Sequence, residues 1–408
     1  MDHVYQFLKK WLLTFLLRCI IIEGKQEENG MTKKWLCGLL CLVFAIAPSC
    51  AVFTESVTSG EISVSETQST EEEQGVLTIT SGEGEVYPYC DQIKQWLSSP
   101  YGTDVVEYYF STDNQAQGIA LAWEYTGSDV EAVRLTYGKK GSKESERIAV
   151  SLDADVREYA LYNLYKATEY DWSVEITLSS GAVLTESASF KTTDLGPRTL
   201  YFTDIYNTRD VGGYVTENGK MTKQGMMLRG SEVPSYLRAV TREQLQPFGI
   251  KTDLDLRGYG EESGFRQESA IPNAKLKYVM TIGYMGAFRS TEHYKEIFSF
   301  MADESNYPMY VHCTAGADRT GTVIFLLNAL LGVPEEVLIR DYEFTSFSKW
   351  GIRSQNLDTE YGPAFQEFLT ALKAYSGETL ADKTEAYMLS IGVTQTEIDN
   401  IRAIMLEE

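Results

Sequence analysis

His312-Cys313-Thr314-Ala315-Gly316-Ala317-Asp318-Arg319-Thr320-Gly321 decides the reading of this 408-residue chain. Upstream, Met309-Tyr310-Val311-His312 reads as a short buried strand. Downstream, residues 322–331 form an apolar run ended by Gly332 and Pro334, the pattern of a buried helix. The segment is therefore strand, tight loop, helix N-terminus. In that geometry successive backbone N–H groups point into the loop and the helix dipole favours negative charge there, so the loop is a cradle for an anion. A cysteine in the cradle is expected largely as thiolate. Arg319, six residues on, can fork two hydrogen bonds to a phosphoryl group. A thiolate facing a bound phosphate is the machinery for forming a phosphocysteine.

Working outward, the length predicts two or three domains and a hydrophobic content of 43% supports packed cores. A formal charge of −22 argues against nucleic acid as a partner. Residues 31–51 have the form of a signal peptide: Lys33 and Lys34 as the charged region, Trp35 to Ala47 as the apolar core, and Ser49-Cys50-Ala51 as small residues before the cut. A membrane anchor is the competing reading, and Ala47-Pro48-Ser49-Cys50 is a poor lipidation site. The chain is expected to be secreted or attached to the cell surface. Residues 1–30 precede a complete leader, so Met31 is the expected true start; any peptide from residues 1–30 in a mass spectrum would refute this. Cleavage after Ala51 leaves Cys90 and Cys313 and takes the charge to −24, because residues 1–51 hold six Lys/Arg and four Asp/Glu. With two cysteines left and one of them needed free, no disulfide framework is expected.

Residues 52–85 are rich in Ser, Thr, Glu and Gly without Lys or Arg, and read as a disordered acidic linker. Residues 86–102 read as a short helical segment carrying Cys90 and Trp96. Between 103 and 193 the period changes to two: residues 118–125, 132–137, 148–152, 170–178 and 182–190 alternate as strands, with Ser179-Ser180-Gly181 as a hairpin turn, the spacing of an antiparallel sandwich. Leu164-Tyr165-Lys166-Ala167-Thr168-Glu169-Tyr170 resembles the tyrosine-corner segment of fibronectin type III domains, and Trp123 resembles their core tryptophan. The module is expected to act as a spacer or to contact a cell-surface or carbohydrate ligand. From residue 200 to 408 strands alternate with helices and then helices follow alone. The expected fold class is thus multidomain: an all-β fibronectin III-like sandwich followed by an α/β domain with a mainly parallel central sheet.

Asn207-Thr208-Arg209-Asp210-Val211-Gly212-Gly213, Leu228-Arg229-Gly230-Ser231, Asp255-Leu256-Arg257 and the Cys313 loop resemble, in order, the landmarks of bacterial tyrosine phosphatases of the Asn-Phe-Arg-Asp-Leu-Gly-Gly type. The resemblance implies metal-independent hydrolysis of phosphomonoesters, with no cofactor. It implies that Cys313 attacks phosphorus while Arg319 and the loop amides of Thr314, Ala315, Gly316, Ala317, Asp318 and Arg319 hold the equatorial oxygens. His312 is expected to orient the loop. Thr320 is expected to bond the Cys313 sulfur and aid its departure. A carboxylic acid must protonate the leaving group and then activate water. Asp318 is the first candidate, with a salt bridge to an arginine as its structural alternative; Asp255 is the second, with a structural role as its alternative. Asp210 is a weaker candidate, read rather as ordering the turn before Gly212-Gly213. Arg229 and Arg257 are read either as added charge near the phosphate or as structural pairs.

Members of this group commonly have lysine where this chain has Ala317. Its replacement favours simple phosphomonoesters such as phosphotyrosine over phosphoinositides. The rivals kept open are a phosphoinositide or other dual-specificity phosphatase, and a surface binding protein whose phosphatase domain is vestigial. Arsenate reduction on a Cys-x5-Arg loop usually needs further resolving thiols, and Cys90 is the one spare.

Overall fold

The computed structural model describes residues 75–109, 116–258 and 267–408. The expected start and leader, and the expected linker up to residue 74, lie outside the described residues. Two strands open the described chain, β1 (Leu77–Ser81) and β2 (Gly84–Val86), followed by α1 (Asp91–Ser98) and a 3-10 turn at Val105–Tyr108. Then come β3 (Ile119–Tyr125), β4 (Val130–Lys139), β5 (Ile148–Leu152), β6 (Glu158–Leu161), β7 (Glu169–Leu178) and β8 (Val183–Thr192). They form two sheets, ordered β1-β3-β6 and β2-β8-β7-β4-β5. The period of two does the work: along β7, Tyr170, Trp172, Val174, Ile176 and Leu178 all point into one core shared with Leu121, Trp123 and Leu135.

The end of the expected linker needs correction. Residues 77–86 are not disordered; β1 pairs antiparallel with β3 and β2 runs parallel to β8. The acidic average of residues 52–85 hid the run Val76-Leu77-Thr78-Ile79-Thr80, whose β-branched residues suit a half-buried strand. The sandwich therefore begins near residue 77 rather than 103. The Tyr170 hydroxyl accepts a hydrogen bond from the Tyr165 N–H (2.9 Å), and Leu164 packs on the core.

The second half starts with β9 (Arg209–Asp210), β10 (Met227–Gly230), α2 (Ala239–Leu245), β11 (Thr252–Asp255), β12 (Lys275–Tyr278), α3 (Gly286–Arg289) and α4 (Thr291–Met301). It continues through β13 (Met309–His312), α5 (Asp318–Leu330), α6 (Glu335–Glu343), a 3-10 turn at Phe344–Phe347, α7 (Gly362–Lys373), α8 (Leu380–Ser390) and α9 (Gln395–Met405). The sheet order is β12-β11-β13-β10-β9; it is parallel except where β9 meets β10. This is a mixed, largely parallel sheet with the cysteine-bearing strand β13 at its centre. Helix α5 is buried from Thr320 through Leu330, as expected of a helix apolar on all sides. Thr379 with Asp382 and Thr394 with Glu397 form capping boxes that start α8 and α9.

Arg198 joins the halves. Buried, it donates to the carbonyls of Asn163 (2.8 Å) and Leu164 (2.9 Å) in the sandwich and to Asp210 (2.8 Å) in the α/β domain. Lys166 N–H donates across the same junction to Gln224 (2.9 Å).

Candidate active site

The loop from Cys313 to Ala317 connects the end of β13 to the start of α5. Its shape is imposed by what grips its carbonyl side. Glu232 N–H donates to Thr314 O (3.1 Å), Asn207 Nδ2 to Ala315 O (3.0 Å), and Arg229 Nη2 to Gly316 O (2.9 Å). Three successive carbonyls are turned outward and tied down. The amides of Ala315, Gly316 and Ala317 donate to no group among the described residues, and they sit at the helix N-terminus. Gly316 makes the turn possible: its φ is +67°, and a Cβ there would lie 2.2 Å from the Gly230 carbonyl. Cys313 is 98% buried at the loop's base. Arg319 Nη2 lies 3.3 Å from Thr314 Oγ1, and the residue lines a cleft of about 560 Å³.

Beneath the loop lies a buried charge hub centred on Asp341 of α6. Its carboxylate accepts from Arg209 Nε (2.8 Å), Arg229 Nη1 (2.6 Å) and the Tyr214 hydroxyl (3.0 Å). Burial alone would raise the Asp341 pKa, but the two guanidiniums outweigh it and hold the carboxyl below the usual range. Burial pulls Arg229 down to about 10, with Arg209 adding to the fall and Asp341 opposing it, so Arg229 stays charged at neutral pH. Arg209 also donates to Asn207 Oδ1 (2.7 Å). Asp341, Arg229, Arg209 and Asn207 are thus one network whose far ends are the carbonyls of Ala315 and Gly316.

The landmark glycines have a related cause. Asp210 accepts from the N–H groups of Gly212 (2.9 Å) and Gly225 (2.7 Å), ordering the turn. A Cβ at Gly212 would lie 1.9 Å from Lys223 O.

The two candidate acids have different surroundings. Asp318 faces the cleft beside Arg319. Its Oδ1 accepts from the Tyr284 hydroxyl and from Arg353 Nε (2.8 Å), and its Oδ2 from Arg353 Nη2 (3.0 Å). The expected alternative of an arginine salt bridge is therefore present, and it coexists with access to the cleft. Asp255 does not reach the cleft: it is fully buried, forked by Arg257 Nε (2.8 Å) and Nη2 (2.5 Å). Burial raises its pKa, yet the Arg257 bonds and His312 more than offset this and keep it ionised. This places Asp255 as an anchor for Arg257, which also reaches Glu232 (2.6 Å). Arg229 and Arg257 are accordingly structural pairs around the loop.

His312 is fully buried, with Nδ1 3.2 Å from Cys313 O and Nε2 2.9 Å from Asp253 Oδ1, close but off the line of a hydrogen bond. The expected Thr320 bond to the Cys313 sulfur is not formed in this structure: Thr320 Oγ1 is buried with no hydrogen-bond partner among the described residues. Sequence reading passed over Asp341, Arg353 and Tyr284. Asp341 left one trace, an acid three residues after Leu338 on the same helical face, where only a buried cation would hold it. Arg353 lies in a loop with no period to read. Among the described residues no group of three or more His, Cys, Asp or Glu is placed to hold a metal.

A buried cysteine and an arginine on an amide-lined loop at a helix N-terminus define the cysteine-dependent phosphatases as the class. The model of the tyrosine phosphatase family matches residues 200–407, and the chain belongs to that family. A Cupriavidus necator protein, whose name marks its tyrosine-phosphatase assignment as provisional, is 30% identical over 190 residues, covering 40% of this chain and 69% of its own length. A Nostoc commune tyrosine-protein phosphatase is 24% identical over 209 residues, covering 40% of this chain and 68% of its own. A solved core catalytic domain of a Saccharomyces cerevisiae PP-IP phosphatase aligns over 40% of this chain and 90% of its own at 19% identity and a TM-score of 0.26. The chain is a phosphatase of the cysteine-based tyrosine phosphatase type.

Proposed function

We propose that this protein hydrolyses phosphotyrosine in proteins through a phosphocysteine on Cys313. The observation that carries the reading is the loop itself: three carbonyls tied outward, free amides inward, and Cys313 and Arg319 at either end. Cys313 Sγ attacks phosphorus in line, and the bond from phosphorus to the phenolic oxygen breaks. The loop amides and Arg319 take up the charge on the equatorial oxygens. Asp318, protonated, gives its proton to the departing oxygen. The resulting carboxylate, forked by Arg353, then takes a proton from the water that attacks phosphorus, and inorganic phosphate leaves as the thiolate returns.

Substrate class follows from the walls. Met280 and Ile282, half or more exposed, line the cleft with Tyr361, and among the described residues Arg319 is its one lysine or arginine. Arg319 beside largely apolar walls suits one phosphate on an aromatic ring, and Ala317 is fully buried where related loops carry lysine. The test is a panel of phosphotyrosine, phosphoserine and phosphothreonine peptides and phosphoinositides on the full chain with Cys313→Ser as control. Phosphotyrosine turnover that vanishes in the variant is the expected result. A strong preference for phosphoinositides would overturn the substrate class; hydrolysis equal in both proteins would favour the vestigial, ligand-binding reading.

The two-sheet sandwich and its Tyr170–Tyr165 bond support a fibronectin type III-like module. The leader-like residues 31–51 support export. Amino-terminal sequencing of the mature protein is expected to begin at Val52, and an amino terminus upstream of Met31 would overturn this.

A further inference from the structure

We propose that residues 88–108, which lie outside the matched family domain, complete the active site as a brace, and that Asp104 is a positioning residue for Asp318. The inference rests on the reading of Asp318 as the proton donor. The segment lies on α6 and the 3-10 turn after it. Trp96 packs edge-on against Phe347 (5.2 Å between ring centres) and Tyr89 against Phe344 (5.9 Å), in one apolar cluster with Ile93, Leu97 and Val105. Arg340 donates to the carbonyls of Trp96 (3.1 Å), Leu97 (2.8 Å) and Ser99 (2.6 Å) at the end of α1. The next residue, Asp341, is the hub beneath the loop.

The polar end of the brace reaches the acid. Asp104 Oδ2 accepts from Asn356 Nδ2 (2.6 Å), and its Oδ1 accepts from Ser354 Oγ (3.3 Å) and from Val106 N–H (3.0 Å). Ser354 follows Arg353 directly. Arg353 is pinned from the other side by Ser346, whose Oγ donates to its carbonyl and accepts from its N–H, both at 2.8 Å. Its guanidinium lies 3.6 Å above the Tyr361 ring and forks Asp318. Glu343 is the neighbouring acid, taking Ser354 Oγ (3.3 Å) and Gln355 N–H (3.0 Å). The loop that aims Arg353 is thus fixed by Ser346 and Glu343 from its own fold and by Asp104 from the brace, and hydrogen bonds define its position where apolar contact would not.

The experiment uses the full chain and two substrates, phenyl phosphate, whose leaving group needs a proton, and 4-nitrophenyl phosphate, whose leaving group needs it far less. The readout is the ratio of the two kcat/KM values, which does not depend on the fraction of protein folded. Misplacing the acid is expected to cut phenyl phosphate turnover by about tenfold in Asp104→Ala and about threefold in Asp104→Asn, with 4-nitrophenyl phosphate changed by less than about twofold. Glu107→Ala, exposed on the same segment, leaves the ratio at the wild-type value. Asp318→Asn gives the larger shift of the same kind. An unchanged ratio in both Asp104 variants beside a shifted Asp318→Asn overturns the brace alone. An unshifted Asp318→Asn in an active enzyme overturns the proton-donor reading and the brace with it, as does a wild type without Cys313-dependent turnover.

Discussion

The catalytic domain buries a set of charges of a kind that the sandwich core is built without. In the sandwich, buried apolar residues alternate with outward polar ones, and the ion pair of Lys140 with Glu169 leaves 57% and 52% of the two side chains exposed. The catalytic domain has surface pairs too, such as Lys277 with Glu296, and adds a buried set: Arg209 and Arg229 with Asp341, Arg257 with Asp255, and Arg353 with a partly exposed Asp318. Each pair of the buried set reaches the phosphate loop or the residues that hold it. A buried ion pair is weak evidence of stability, since desolvation offsets much of its attraction. Its value here is geometric. Apolar alternation is enough to build a sandwich, whereas three loop carbonyls need fixed donors at fixed places.

The sharpest break of this comparison sets Asp341→Ala against Leu135→Ala. Removing Asp341 leaves Arg209 and Arg229 buried without their shared acceptor, a loss expected at about 3–5 kcal/mol in denaturant unfolding. Turnover should fall further than the folded fraction accounts for, because Arg229 no longer fixes Gly316 O. Leu135 is fully buried in the sandwich core, and its truncation is expected to cost about 2–5 kcal/mol with kcat per folded molecule unchanged. Equal effects on kcat per folded molecule would erase the distinction.

The same contrast explains what the sequence made legible. Strand β7 reads directly, since its period of two runs through ten residues. The four residues of β6 and of β12 are too short for a period, and β1 was masked by its acidic surroundings. The loop from Cys313 to Arg319 was legible because its parts are contiguous and their chemistry is local. Its supports were not. Arg209 meets Asp341 across 132 residues and Asp104 meets Asn356 across 252, and no local pattern carries a partner that distant. Asp255 differs: Arg257 lies only two residues on, and what its place at the end of a strand did not reveal is that both side chains are buried.

A smaller effect sharpens the comparison within the catalytic domain. Glu343 is a buried acid that forms no ion pair among the described residues, with the Arg340 charge acting on it weakly. Burial pushes it up to about 7, with Asp104 adding to the rise and the Gln355 N–H and Ser354 hydroxyl opposing it. A folded-state value above the ordinary 4.5 means that the folded chain holds a proton the unfolded chain releases. Stability is therefore lost as pH rises from about 4.5 to about 7, by about 3 kcal/mol at most from this group. Glu343→Gln keeps the Oε1 acceptor and removes the charge. It is expected to raise the unfolding midpoint relative to wild type at pH 8 and to leave it unchanged at pH 4. An equal difference at both pH values would show that Glu343 does not titrate in this window.

The smallest expected effect is at the sandwich surface. Lys140→Ala removes an ion pair that water and salt already screen, at the cost of no buried group. The unfolding midpoint should stay within scatter at both low and high salt. Were it to fall clearly at low salt, the division of labour would be wrong on the sandwich side: its surface charges would then contribute to stability as its alternating core does. If it stays fixed, the charges that matter in this chain are the ones withdrawn from solvent, and they are gathered where a loop must be held open for phosphate.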